Sequence, residues 1–140
     1  MRKKYELTNE MIEVNGVVLH RIKALGDFRD VEAGDLGGWV ESERNLSHDG
    51  NAWVYDNARV CGNAWVDGND HLLQVGPIGS RNEYTTFFRA KDNAIGVVCG
   101  CYQGSIDNFE ARVREVHGDS KYGKEYQLAI ELAKCHIDLS

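Results

Sequence analysis

Gly50-Asn51-Ala52-Trp53-Val54-Tyr55, Asp56-Asn57-Ala58-Arg59-Val60-Cys61 and Gly62-Asn63-Ala64-Trp65-Val66-Asp67 are consecutive hexads of one pattern, and a fourth begins at Gly68-Asn69-Asp70. The pattern is (Gly/Asp)-Asn-Ala-x-Val-x. Ala52, Ala58 and Ala64 hold one position, and Val54, Val60 and Val66 hold another two residues later. A fixed short period implies one backbone unit used repeatedly. Three hexads make one triangular coil. Valine points into the prism, the small alanine sits near a corner, and Gly, Asn or Asp takes the tight turn. The x position between Ala and Val then points outward, and an outward tryptophan needs a cover, so Trp53 and Trp65 face a partner or the neighbouring domain, or pack against the hairpin or the helices.

Upstream, Val40 and Leu46 keep the six-residue spacing but sit out of phase with Val54, so residues are inserted near 47–50. Residues 31–69 therefore hold about two coils, whereas stacked repeats need about three units for stability. Both ends need covers. One is a hairpin: Met11-Ile12-Glu13-Val14 and Val17-Val18-Leu19-His20-Arg21-Ile22 flank Asn15-Gly16, whose residues tolerate the positive φ of a tight turn. The other is the second half, and a partner chain is a third possibility.

The composition changes near residue 70. Residues 1–70 carry 8 basic and 13 acidic side chains, and residues 71–140 carry 8 and 9. We divide the chain there, into 1–70 and 71–140. His71-Leu72-Leu73-Gln74-Val75, Tyr84-Thr85-Thr86-Phe87-Phe88-Arg89 and Ile95-Gly96-Val97-Val98-Cys99-Gly100-Cys101-Tyr102 read as three strands of an antiparallel meander. Two helices follow. Ser105 caps the first, and Ile106, Phe109, Val113 and Val116 line one face up to Gly118. Ser120 starts the second, with Tyr122, Tyr126, Ala129, Ile130 and Ala133 on one face and Leu128, Leu132 and Cys135 widening it.

The hexads resemble those of left-handed parallel β-helices. Together with Lys4-Tyr5-Glu6-Leu7-Thr8 and Gly34-Asp35-Leu36-Gly37-Gly38-Trp39, they resemble the N-terminal part of small phage and prophage hexapeptide-repeat proteins of the polymer-forming type. Gly76-Pro77-Ile78-Gly79-Ser80-Arg81, Thr85-Thr86-Phe87 and Cys99-Gly100-Cys101 are similar to a domain that recurs at the C-terminus of such proteins. The expected architecture is mixed β and α+β: an N-terminal hairpin, a short left-handed parallel β-helix, then a meander covered by two helices.

The whole chain has 140 residues and a formal net charge of -6. An acidic surface argues against general nucleic-acid binding, which needs cations on phosphates. No apolar run approaches the roughly 18 residues of a membrane span. The start, Met1-Arg2-Lys3-Lys4-Tyr5-Glu6, lacks the apolar core of a secretory signal. The cytoplasm of a bacterial host is the expected location. The cysteines, Cys61, Cys99, Cys101 and Cys135, read as buried thiols. Cys99, Cys101 and His117 form the one set that could build a zinc site, but no metal and no cofactor are expected.

The candidate binding site is Gly79, Ser80, Arg81, Asn82, Thr85, Thr86 and Arg89. Flexible backbone N–H groups, hydroxyls and guanidiniums together suit a phosphate or carboxylate. Arg89 falls on the opposite strand face from Thr86. His48, beside the repeat, reads as a solvated loop histidine. No catalytic signature such as GxSxG is present. The expectation is a non-enzymatic, phage-encoded homo-oligomer. It would counter host defence by binding a small phosphorylated or nucleotide signal, or a host protein. A structural oligomerisation module and a small hydrolase are the alternatives.

Overall fold

The computed structural model describes residues 3–139; Met1 and Arg2, the first residues of the charged start, lie outside them. Strands β1 (Tyr5–Val14) and β2 (Val17–Ala24) form the expected hairpin. Its turn residues Asn15 and Gly16 take φ of 53° and 81°, as that dipeptide favours. Strand β3 (Leu36–Val40) pairs antiparallel with β2 and, on its other edge, parallel with the two-residue β4 (Arg59–Val60). These make one mixed sheet in the order β1-β2-β3-β4.

The second sheet is an antiparallel meander of β5 (Leu72–Ile78), β6 (Glu83–Ala90), β7 (Ala94–Cys99) and β8 (Tyr102–Ser105). The last strand replaces what the sequence suggests is a run directly into a helix. Helices α1 (Ile106–His117) and α2 (Lys121–His136) follow. Ser105 and Ser120 cap them, their side chains accepting the Asn108 and Gly123 N–H groups at 3.1 and 3.3 Å. The apolar face of α2 is narrower than its sequence suggests, because Leu128 and Leu132 stay exposed.

A left-handed parallel β-helix is not formed; the strands lie in two sheets. The hexad valines do point inward, with Val54, Val60 and Val66 fully buried. Short backbone rungs also join the hexads to the preceding segment: Trp39 N–H donates to Ala58 O, Glu41 N–H to Val60 O and Ser47 N–H to Val66 O. Two things stop a coil stack. The hexads supply only a two-residue strand, and the edges a further coil would occupy are already taken. On one side the hairpin pairs antiparallel with β3. On the other, Ala64 bridges antiparallel to Ala90, and Trp65 N–H donates to Arg89 O.

Strand β6 is the shared wall of two apolar clusters. Phe88 belongs to the cluster that holds Tyr5, Ile22, Leu46 and the hexad valines. Phe87, its neighbour, joins Val97, Phe109, Val113, Tyr126 and Ile130 beneath the helices. Alternate residues of a strand face opposite sides, so a strand covered on both faces buries all of them. That is why Thr85 and Thr86 are buried as deeply as the phenylalanines.

Trp53 is covered by packing, edge-on to Tyr5 of the hairpin at 6.5 Å and to Phe28 at 5.4 Å between ring centroids. His48 is packed rather than solvated. Its ring stacks on Tyr5 at 4.3 Å, and its Nδ1 accepts the Lys4 N–H at 3.0 Å. Trp65 is exposed as expected. Among the described residues, no helix is long and apolar enough to cross a membrane.

Candidate functional site

The 76–82 stretch is less open than its glycines suggest. β5 continues through Ile78, and the turn is closed by Asn82 N–H donating to Gly79 O at 3.2 Å. Gly79 N–H donates to Glu125 Oε1 of α2 at 3.0 Å. A carboxylate of the protein itself thus occupies that donor. Ser80, Arg81 and Asn82 are exposed at the tip.

The other candidate residues lie inside the layers. Thr85 Oγ1 donates to Cys99 Sγ at 3.3 Å, and Thr86 Oγ1 accepts the Arg59 N–H at 3.3 Å. Arg89 sits at the far end of β6. Its Nε donates to Trp65 O at 3.0 Å, its Nη2 reaches Asp67 Oδ2 at 2.8 Å, and its guanidinium lies 4.2 Å over the Trp65 ring. The structure therefore groups Gly79, Ser80, Arg81 and Asn82, and places Thr85, Thr86 and Arg89 apart from them.

Two depressions flank the tip. The larger is a cleft of about 630 Å³ between the hairpin end, β4 and the β5–β6 turn. Arg59, Arg81, Asn82, Tyr84 and Cys101 stand in its wall, with Glu83 as the acid. Arg59 spends one N–H on Gly100 O at 2.5 Å. Arg81 has no hydrogen-bond or ion-pair partner among the described residues. Tyr84 donates its hydroxyl to Asp56 Oδ2 at 2.8 Å, and that hydrogen bond, with some burial, raises the phenol above its ordinary range.

The smaller is a hollow of about 160 Å³ on the helix side, sharing Arg81, Glu83, Gly100 and Cys101 with the first. Arg112 and His117 of α1 also line it. Burial, and then the nearby Cys99, push the Tyr126 phenol far upward, so it stays protonated. Cys99, Cys101 and His117 all touch this hollow. Among the described residues no group of three or more His, Cys, Asp and Glu is placed to hold a metal ion.

Sequence reasoning missed Arg59 and Arg112. A signal existed for the first. The x position of the hexads reads Trp53, Arg59, Trp65, so the middle repeat swaps an aromatic ring for a guanidinium. Arg112 carries no such mark, because it is one of several charges on an exposed helix face.

No family model matches the chain. It is similar to a protein named as an acetyltransferase, at 38% identity over 79 residues. That relative is the uncharacterized acetyltransferase YdcK of Escherichia coli (strain K12). The aligned segment is 50% of this chain and 24% of the relative, so the chain spans about a quarter of the curated protein it matches. The similarity is compatible with a hexapeptide-repeat protein. It also corrects the non-enzymatic expectation, since a relative named as an acetyltransferase points to an enzyme.

Proposed function

We propose that the chain binds a small phosphorylated molecule of the nucleotide type in the larger cleft. One observation carries this reading. Arg59 of β4 and Arg81 of the turn between β5 and β6 line the same cleft, and Arg81 has no hydrogen-bond or ion-pair partner among the described residues. Guanidinium forks match phosphate oxygens two at a time. The cleft, about 630 Å³, lies in the range of about 300–1,000 Å³ typical of small-molecule sites. Asn82 and Tyr84 add polar and aromatic surface.

The name of the YdcK relative bears on the same cleft. Acetyl transfer draws on an activated acyl donor, and coenzyme A, a common acyl carrier, is itself a phosphorylated nucleotide. Acetyl transfer is therefore part of the proposal. The resemblance to phage and prophage proteins supplies a setting in which the ligand is a signal of host defence. A second reading, docking of a host protein on the acidic repeat half, is favoured by the exposed ring of Trp65.

The test is thermal unfolding of the full chain with ADP, coenzyme A or acetyl-coenzyme A. A ligand that binds only the folded state raises the melting temperature. Arg81→Ala, a change at an exposed turn, is expected to remove the rise without lowering the ligand-free value. No rise with any of the three overturns the reading. With an amine or alcohol acceptor added, release of coenzyme A thiol above the acceptor-free rate reads transfer, the acetyl group passing from sulfur to the acceptor.

A further inference from the structure

The smaller hollow has a chemistry of its own. Its floor is apolar: Phe109 and Val113 of α1 and Tyr126 of α2 are all nearly buried there. Phe109 and Tyr126 already meet edge to face, with centroids 5.8 Å apart and planes at 84°. Arg81 from the β5–β6 turn and Arg112 from α1 both line it. Neither guanidinium has a hydrogen-bond or ion-pair partner among the described residues. The Tyr126 hydroxyl accepts a long contact from Cys99 Sγ, at 3.9 Å.

We infer that this hollow binds a small aromatic carboxylate, with one ring on the Phe109–Val113–Tyr126 floor and one anionic head on Arg81 and Arg112. Size supports a single ring. An apolar cavity of about 150 Å³ takes benzene, and this hollow is about 160 Å³. Ring geometry supports it too, since aromatic groups favour the edge-to-face arrangement the floor already shows. Charge selects the head group. Arg81 and Arg112 face one acid, Glu83, so the balance favours an anion over a cation. A guanidinium fork fits a carboxylate in two parallel hydrogen bonds. A bare phosphate would leave Val116, an exposed apolar side chain that also lines the hollow, uncovered. Arg81 lines both depressions and is shared with the nucleotide reading, whereas Arg112 and the Phe109–Val113–Tyr126 floor line this hollow and not the larger cleft.

The experiment is a benzoate titration of the full ¹⁵N-labelled chain, following amide resonances of residues 99–102 and 112–117. Saturable shifts are expected there and around Arg81, Phe109 and Tyr126, and nowhere else. Acetate lacks the ring and benzyl alcohol lacks the charge, and neither is expected to give saturable shifts at equal concentration. Arg112→Gln removes a charge-assisted hydrogen bond and is expected to weaken benzoate about tenfold. An unchanged spectrum elsewhere in the variant shows that it still folds. Absence of saturable shifts with benzoate overturns the proposal. So does an Arg112→Gln affinity equal to that of the parent, or benzyl alcohol or acetate binding as well as benzoate. ADP added to the same sample keeps the two sites distinguishable. If ADP leaves the resonances around Arg59 unmoved while benzoate binds, the nucleotide reading of the larger cleft falls and this one stands.

Discussion

Around the hexads, backbone meets backbone. A Cβ on Gly38 would lie 2.4 Å from Ala58 O, and one on Gly37 would lie 2.6 Å from Val54 O. Between the meander and the helices, by contrast, rings meet rings: Phe109 lies edge-on to Phe87 at 6.3 Å and to Tyr126 at 5.8 Å. The first region has its own apolar cluster and adds to it a dependence on missing side-chain volume and on hydrogen bonds between segments. The second depends on apolar area. Both are buried cores, so burial alone would not tell them apart, but substitutions should.

The largest expected effect lies in the ring-packed region. Phe109→Ala removes the hub of three aromatic contacts and is expected to cost about 3–5 kcal/mol, read by urea unfolding. A cost below about 1 kcal/mol would show that the helix layer is held by something other than its rings. Gly38→Ala probes the other region. The added methyl meets a carbonyl that is itself a rung acceptor, and the cost is expected at the upper end for overpacking, about 3 kcal/mol. Gly68→Ala is the control, because a Cβ there meets nothing within 4 Å. Equal costs at Gly38 and Gly68 would dissolve the comparison.

The smallest effect is a pH dependence on the hexad side. Lys4 is nearly buried, and its Nζ donates to Ala52 O at 2.6 Å. Burial pulls its pKa down from 10.5 to about 8, with Asp49 opposing. The unfolded chain therefore holds this proton more tightly than the folded one. From about pH 8 to 10.5 this group makes stability rise with pH. Tyr5, Tyr126 and Cys61, whose pKa values burial raises, act in the opposite direction at the alkaline end. The quantity to measure is thus the difference between the parent and Lys4→Met across that window. A difference that does not change with pH would mean the amine is not desolvated.

What the sequence makes legible is mostly local. Asn15-Gly16 fixes a hairpin, Ser105 and Ser120 fix helix starts, and the six-residue period fixes which valines point inward. These depend on residues a few positions apart. The way segments pair does not. Nothing in the hexads says that β3 will take an antiparallel neighbour on one edge, so the period alone suggests a coil stack that the sheets do not form. The period turns Trp53 out of the prism without saying what covers it, and the cover includes Phe28, a residue 25 positions earlier. The candidate site follows the same division. Gly79, Ser80, Arg81 and Asn82 are neighbours in the chain and remain neighbours in space. Arg59 and Arg112 reach the tip by folding alone.

The shared wall of β6 also sets an order of completion. The valines of the hexads are all synthesised by residue 66, but Phe88 and Ala90, which help seal their cluster, come more than twenty residues later. At the other end, Asp138 N–H donates to Asp70 O at 2.8 Å, and His136 Nε2 lies 2.8 Å from Asn69 O. The junction following the repeat is thus fastened by residues nearly seventy positions downstream. A ribosome emitting this chain from its N-terminus exposes a row of apolar side chains well before their cover exists. The interval between emergence of Val66 and of Ala90 is when the nascent protein is most open to aggregation or to capture by a chaperone.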